Sequence, residues 1–197
     1  MSEPVFVMRS PGQAIKFALA AAFLVFLLVI TYVDSAAVAT YQPILIAGGA
    51  LAIAASLWLL PRIEASPAGI MIVNALRNEV LDWAHVSGFD RKYALTILTN
   101  DDERIVSTAF PSGGGLSAGI SQLRGDRQAA EPVRWHSQGR HTIRVSQSQA
   151  LQILERLEEA SARAQQPGHR RSIWNTQSLA LIVGGTTVST AGFALLL

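Results

Sequence analysis

Few residues in this chain of 197 could do chemistry. Gly115-Leu116-Ser117-Ala118-Gly119 fits the G-x-S-x-G pattern of a nucleophile elbow, and Asp126 and His141 follow it in Ser, Asp, His order. The elbow works on a sharp strand-to-helix turn of a parallel α/β sheet, with βα units between the triad members. Gaps of nine and fifteen residues cannot hold those units. The match lies in a glycine-rich stretch, where chance supplies it, so a serine hydrolase is the most remote reading. The four histidines, His85, His136, His141 and His169, show neither the i,i+4 spacing nor the Glu partner of a zinc helix. Gly113-Gly114-Gly115 lacks the Gly-Lys-Ser/Thr of a phosphate-binding loop. The chain has no cysteine, which excludes disulfides, thiolate metal sites and Cys nucleophiles. No catalytic residue, cofactor or metal is expected, and no nucleic-acid partner.

Positive charge is more informative. Residues 116–145 carry Arg124, Arg127, Arg134, Arg140 and Arg144 against Asp126 and Glu131, a local net charge of +3. Arg170 and Arg171 follow further on. Each such cation near an anionic lipid surface gains about 1 kcal/mol. Trp135, between Arg134 and His136, has the character of an interface anchor. These eight residues, Arg124, Arg127, Arg134, Trp135, Arg140, Arg144, Arg170 and Arg171, are the candidate contacts to lipid or to a partner protein. The competing reading is that the arginines are solvated charges marking one side of a membrane, and that Trp135 is an ordinary core aromatic.

Three apolar runs must position that charge. Phe17–Val33, Pro43–Leu60 and Ser178–Leu197 contain no Asp, Glu, Lys, Arg or His. A bilayer core needs roughly 20 apolar helical residues, and a soluble helix would carry polar residues along one face. Extending the first run back to Ala14 brings it to that length, with Lys16 snorkelling. The first run leads directly into a second, with no small-residue cleavage site between them, so it does not read as a cleavable signal. Arg9 and Lys16 precede the first run, Arg62 and Arg77 follow the second, and Arg163, Arg170 and Arg171 precede the third; the loop Asp34–Gln42 has no cation. Cations in short flanks mark the inner side. Tyr32 and Tyr41 would then sit at the outer interface, and Trp58 and Trp174 at the inner one. The third helix would end at the outer surface. Small residues (Gly48, Gly49, Ala50, Ala52, Ala54 and Ala55 in the second run; Gly184, Gly185 and Gly192 in the third) would let helices approach closely.

Between the second and third runs the pattern changes to period two. Arg62–Ser66 and Ile70–Leu76 read as strands across the turn Pro67-Ala68-Gly69, and Arg77-Asn78 reads as a two-residue turn. Glu79–Phe89, Tyr93–Thr99 and Arg104–Phe110 continue the series, the last two flanking the polar loop Asn100–Glu103. Pro111–Gly139 is polar and glycine-containing, His141–Val145 is a possible last strand, and Ser146–Gln165 is helical. Ser146 with Gln149 forms a capping box. Ala150, Leu151, Leu154 and Leu157 make an apolar stripe, and Glu159 and Arg163 an i,i+4 pair.

Antiparallel strands followed by one amphipathic helix resemble a pleckstrin-homology (PH) domain. The resemblance sharpens at Arg62, Gly69-Ile70-Met71-Ile72-Val73-Asn74 and Val80-Leu81-Asp82-Trp83-Ala84-His85-Val86, which is similar to the PH-like domain of small actinobacterial integral membrane proteins. It covers roughly residues 15–165. It implies a partly open antiparallel barrel capped by a C-terminal helix, with Gly69 permitting a turn and Trp83 filling the barrel. The sequence departs from that pattern in its long 111–140 insertion and in its additional third apolar helix. Eukaryotic PH domains often bind phosphoinositides through cations in the loop between their first two strands; Pro67-Ala68-Gly69 has none.

The expectation is therefore a three-span membrane protein with a PH-like, mostly-β domain. Its parts are a cytoplasmic tail (1–16), an apolar hairpin (17–60), the PH-like domain (61–166), a basic juxtamembrane linker (167–177) and a third helix (178–197). The N-terminus and the domain would face the cytoplasm of a plasma (inner) membrane. The role expected is non-catalytic: a scaffold or accessory subunit of a membrane complex, such as a respiratory or cell-envelope assembly. Its partners would be lipids and other integral membrane proteins, with self-association also compatible. The alternative is anionic-lipid binding by the Arg-rich insertion.

Overall fold

In the computed structural model the described residues are 5–34, 41–90, 92, 94–111, 140–161 and 169–195. The chain divides into two compact units. One is the β-rich domain, from residues 1–12 and 61–174; the other is helical, from 13–60 and 175–197.

The β-rich domain starts earlier than the sequence pattern indicates. Val5–Arg9 forms strand β1, which pairs antiparallel with β2 (Arg62–Ser66) and parallel with β8 (Arg140–Arg144). Val5–Arg9 of the expected 1–16 tail is thus part of the sheet, and a wholly antiparallel barrel is ruled out by the β1–β8 pair. The reason is burial: Phe6 and Met8 point into the core at 2% and 0% exposure, which a tail could not achieve. β3 (Gly69–Val73) and β4 (Arg77–Leu81) extend the sheet from β2. Arg77-Asn78 is not a turn, because both residues lie in β4 and the chain reverses one step earlier, through Asn74–Leu76. Within the expected 167–177 linker, Arg170–Trp174 is β9, paired with β4. The six strands run in the order β8-β1-β2-β3-β4-β9.

A 3-10 turn at Trp83–His85 carries the chain to a second sheet of β5 (Val86–Asp90), β6 (Ala94–Thr99) and β7 (Arg104–Pro111). Alternation along β7 places Ile105, Ser107 and Ala109 inward, while Arg104, Val106 and Thr108 face out. Asp102 at the β6–β7 reversal has φ 58°, a left-handed conformation that Asp tolerates better than most side chains. Asn74 joins the two sheets. Its Nδ2 donates to the Val106 carbonyl at 2.9 Å, and its Oδ1 accepts from the Thr108 amide at 2.8 Å. One side-chain amide here does the work of one more paired strand residue.

Helix α3 (Gln147–Ser161) covers the core, burying Ala150, Leu151, Ile153, Leu154 and Leu157. Ser146 and Gln149 cap it reciprocally: the Ser146 amide donates to Gln149 Oε1 at 3.0 Å, and the Gln149 amide donates to Ser146 Oγ at 3.3 Å. Arg163, expected to pair with Glu159, lies outside the described residues. Trp83 is 6% exposed within the same core, and its indole donates to the Ser66 carbonyl at 2.8 Å. Gly69 is required for close approach rather than for its φ: a Cβ there would lie 2.5 Å from the Leu81 carbonyl oxygen.

The helical unit contains α1 (Pro11–Asp34), whose first two residues belong to the β-rich unit, α2 (Tyr41–Trp58) and α4 (Thr176–Ala194). α2 and α4 pack antiparallel. Gln42 Nε2 reaches the Leu195 carbonyl at 2.7 Å near one end of the pair, and Ser178 is buried beside Ser56 near the other. Gly49, Gly185 and Gly192 sit in the contact, where a Cβ on Gly185 would lie 2.6 Å from the Gly49 carbonyl. Gly49, Ala52, Gly185 and Gly192 of the second and third runs therefore serve this packing, whereas Gly48 and Gly184 have nothing within 4 Å of an added Cβ. Among the described residues two helices are long and apolar enough to cross a membrane, Pro11–Val33 and Tyr41–Trp58. α4 differs from the expected third run because Thr176, Gln177, Ser178, Thr186, Thr187, Ser189 and Thr190 dilute it. Its Thr186, Thr187 and Thr190 hydroxyls bond back to carbonyls one turn earlier.

Replacing Gly69 with Ala should force β3 away from Leu81 and destabilise the domain by about 1–3 kcal/mol. Thermal unfolding followed by the emission of buried Trp83 measures this, and an unchanged midpoint would refute the close-approach account.

Candidate interaction site

The candidate contacts fall into three groups. Arg124, Arg127, Arg134 and Trp135 lie outside the described residues, as do Gly113-Gly114-Gly115, Ser117, Asp126 and His136. Arg140 and Arg144 belong to β8, an edge of the six-stranded sheet, where Arg144 is exposed. Arg170 and Arg171 belong to β9, the opposite edge. Sequence adjacency therefore misleads: five positions that read as one basic insertion include two in a strand, and the basic pair Arg170-Arg171 is divided between two faces of a sheet.

Arg170 is committed within the domain. Register places Arg170 opposite Leu81 and Ser172 opposite Glu79. The Arg170 Nε donates to Glu79 Oε2 at 3.2 Å, and Ser172 Oγ donates to Glu79 Oε1 at 2.7 Å. The guanidinium also bridges to Glu103, through Nη2–Oε1 at 3.1 Å and through Nη1–Oε2. A buried carboxylate must be paired and hydrogen-bonded, and Glu79, 7% exposed, meets that condition through β9. The hydrogen bond from Arg170 holds Glu103 below the ordinary carboxylate range, opposed by slight desolvation, with the charges of Arg170 and His85 adding to the lowering. The hydrogen bond to Glu103 likewise raises Arg170, against desolvation and together with Glu79. As a structural tie between β9 and the β6–β7 hairpin, Arg170 is a poor candidate for lipid or partner contact. Arg171 points to the other face and is exposed.

Trp174 ends β9 with 56% exposure, and the Arg77 guanidinium stacks 4.7 Å from its ring centroid. Leu76, Val106 and Ile173 are exposed as well. Asn74 bonds the Val106 carbonyl and precedes Leu76 by two residues, so this apolar group gathers at one end of the sheet. The sequence pattern missed it because β9 was not recognised; alternation along Arg170–Trp174 is interrupted by two consecutive arginines.

Chemistry elsewhere is sparse. An open cleft of about 480 Å³ is lined by Phe89, Asp90, Ser148, Leu151, Gln152 and Glu155. Among the described residues its ionisable lining groups are the carboxylates of Asp90 and Glu155. Nearby on α3, burial raises Glu158, with the charges of Glu155 and Glu159 adding to the effect. The mostly buried His85 contacts the exposed Asp101 at 3.3 Å, and the exposed His169 contacts Asp82 at 3.7 Å. Among the described residues no group of three or more His, Cys, Asp or Glu could hold a metal. His141 is in β8, within a mixed six-stranded sheet and not the parallel α/β sheet of a nucleophile elbow.

Comparison with protein families gives one match: residues 60–123 fit the bacterial PH domain, a span that contains β2 to β7. No curated protein and no solved structure matches. The matched span includes Gly69, Asn74 and Trp83, whose structural roles are described above.

Arg170→Ala should leave Glu79 buried with Ser172 alone and cost about 2–4 kcal/mol of domain stability, with Arg170→Lys losing less. Because Glu103 is more acidic in the folded domain than in the unfolded chain, its contribution is present above the unfolded value of about 4.3. It is lost as pH falls through the lower folded value. The melting-temperature difference between wild type and Glu103→Gln should therefore shrink on acidification below pH ~4; a difference independent of pH would contradict the assigned pair.

Proposed function

Starting from a bacterial PH domain on this chain, we propose that the protein is a non-catalytic accessory subunit, anchored in the plasma membrane, that docks on other integral membrane proteins. One observation carries the proposal. The chain passes between the sheet and the apolar helices three times: after Arg9 of β1, before Arg62 of β2 and after Trp174 of β9. Register puts all three passages at the same end of the sheet, since Arg62, Val73, Asn78 and Ile173 form one cross-strand row and β1 runs opposite to β2. Three passages at one end of the sheet, through one to three residues each, suit a domain that presents a surface.

On this reading α1 and α2 span the bilayer, and α4, packed on α2 with its hydroxyls satisfied, is the third span. The positive flanks put the domain in the cytoplasm. Partner recognition uses the exposed group of Leu76, Val106, Ile173 and Trp174, whose aromatic and aliphatic side chains are of the kind that anchors interfaces.

The protein should remain in the membrane fraction after alkaline carbonate and co-purify in mild detergent with stoichiometric membrane partners, lost on Trp174→Ala. A homogeneous monomer on native gels would defeat the accessory-subunit reading. Since the chain has no cysteine, Arg104→Cys gives a single reporter. It should react with a membrane-impermeant maleimide in inverted vesicles and not in intact cells; the opposite pattern would reverse the topology.

A further inference from the structure

The three-stranded sheet ends on a strand with one side open. β5 (Val86–Asp90) pairs with β6, and among the described residues no segment pairs with its other edge. A bulge between Val86 and Gly88 interrupts the ladder, so the regular stretch is Gly88–Asp90. An unpaired edge presents backbone N–H and C=O groups that template a further strand. The open cleft of about 480 Å³ lies against this stretch, lined by Phe89 and Asp90 from β5 and by Ser148, Leu151, Gln152 and Glu155 from α3. Consecutive strand residues point to opposite faces, so a cleft that touches both Phe89 and Asp90 runs along the strand's edge. β6 holds the other edge, which leaves the open one. The four α3 residues have i, i+3, i+4, i+7 spacing and form one helix face. A strand edge and a helix face therefore bound the cleft.

Its floor is apolar, because Phe89 packs on the hydrophobic core and Leu151 belongs to it. Its rim carries Asp90 and Glu155. Asp90 Oδ1 accepts the Lys92 amide at 3.0 Å, which uses one of the roughly four lone-pair sites of a carboxylate. Further along α3 stand Glu158 and Glu159; burial raises Glu158, and the charges of Glu155 and Glu159 add to the effect. Arg156, the one cation of α3, does not line the cleft, and the last turn of the helix has none. Carboxylates near a helix C-terminus reinforce the negative end of its dipole, so this end of α3 favours a cation. A complementary ligand has an extended backbone for the edge of β5, an apolar side chain for Phe89 and Leu151, and a Lys or Arg at the next position to reach Asp90 or Glu155.

We propose that the cleft between β5 and α3 binds an extended basic segment of a partner membrane protein, added to β5 as a fourth strand of the second sheet. Strand addition draws affinity from main-chain hydrogen bonds and specificity from pockets for alternate side chains. Cytoplasmic flanks of membrane spans are rich in Lys and Arg, so the partners called for by the accessory-subunit reading carry segments of this kind. The cleft stands on the geometry of the β-rich domain; only the source of its ligand rests on that reading. It shares no residue with the exposed group of Leu76, Val106, Ile173 and Trp174. A lipid headgroup, which has no peptide backbone, would leave the strand edge unpaired.

The test uses the full chain in a non-ionic detergent and fluorescent peptides of about eight residues that alternate lysine with valine, read by anisotropy. The lysine–valine peptide should bind, and a glutamate–valine peptide should bind about tenfold more weakly or worse. Asp90→Asn and Glu155→Gln should each weaken the lysine peptide about twofold to fivefold. Glu155→Lys should improve the glutamate peptide, which a misfolded variant would not do. N-methylation of the peptide amides along one edge should abolish binding, and along the other edge leave it unchanged. Trp174→Ala should bind the peptide like wild type. Equal binding of the two peptides, indifference to N-methylation, or no binding at about 1 mM overturns the cleft. If Trp174→Ala abolishes binding and Asp90→Asn does not, the peptide uses the other surface and this inference fails. A dimer on gel filtration that Asp90→Asn dissociates would make a second copy the occupant and overturn the assigned partner. If the peptide binds as expected but no membrane protein co-purifies with the chain, the strand-edge site stands and the accessory-subunit reading fails.

Discussion

Backbone pairing of the strands that flank the apolar helices is the constraint on which the other features depend. β1 and β9 are separated from α1 and α4 by one residue each, Ser10 and Asn175, and both are built into the six-stranded sheet. Their hydrogen bonds fix where the chain leaves the domain. Because β1 runs against β2, and β9 against β4, the three passages coincide at one end. The gathering of Arg9, Arg62, Arg144, Arg77 and Trp174 there follows from register, without any sequence proximity.

The same pairing explains a buried carboxylate in a mostly apolar core. Glu79 faces inward on β4 because alternation demands it, between Arg77 and Leu81 on the same face. β9 brings Ser172 and Arg170 to satisfy it, and Arg170 reaches on to Glu103 of the other sheet. Such pairs add little net stability compared with an apolar replacement, yet leaving one partner alone is costly. The network therefore specifies that β9, and not some other segment, completes the edge. Asn74 has the equivalent role at the opposite end of β4, where its amide pairs with the β7 backbone.

Much of the β-domain was legible because short-range signals agree. Period-two alternation located β2, β6 and β7, the Pro67-Ala68 turn separated β2 from β3, and Ser146 with Gln149 marked the start of α3. The Arg77-Asn78 assignment failed because two polar residues in a row read as a turn, whereas Asn78 lies on the outer face of β4 and Arg77 stacks on Trp174. The strands β1 and β9 were missed for a related reason. Five residues beside an apolar helix look like a tail or a linker, and only partners more than fifty residues away make them strands.

The sequence by itself determined the local choices: uncharged apolar stretches, alternating strands, a capped amphipathic helix, and the Gly69, Asn74 and Trp83 positions within the span that fits the bacterial PH domain. Those features depend on side chains a few residues apart. Tertiary structure alone decided that α2 packs with α4, that Arg170 is tied to Glu79 and Glu103, and that Arg9, Arg62 and Arg144 stand in one row. Each of these is set by strand register or helix contact between distant segments, and a shift of one residue would have turned the arginines to the opposite face.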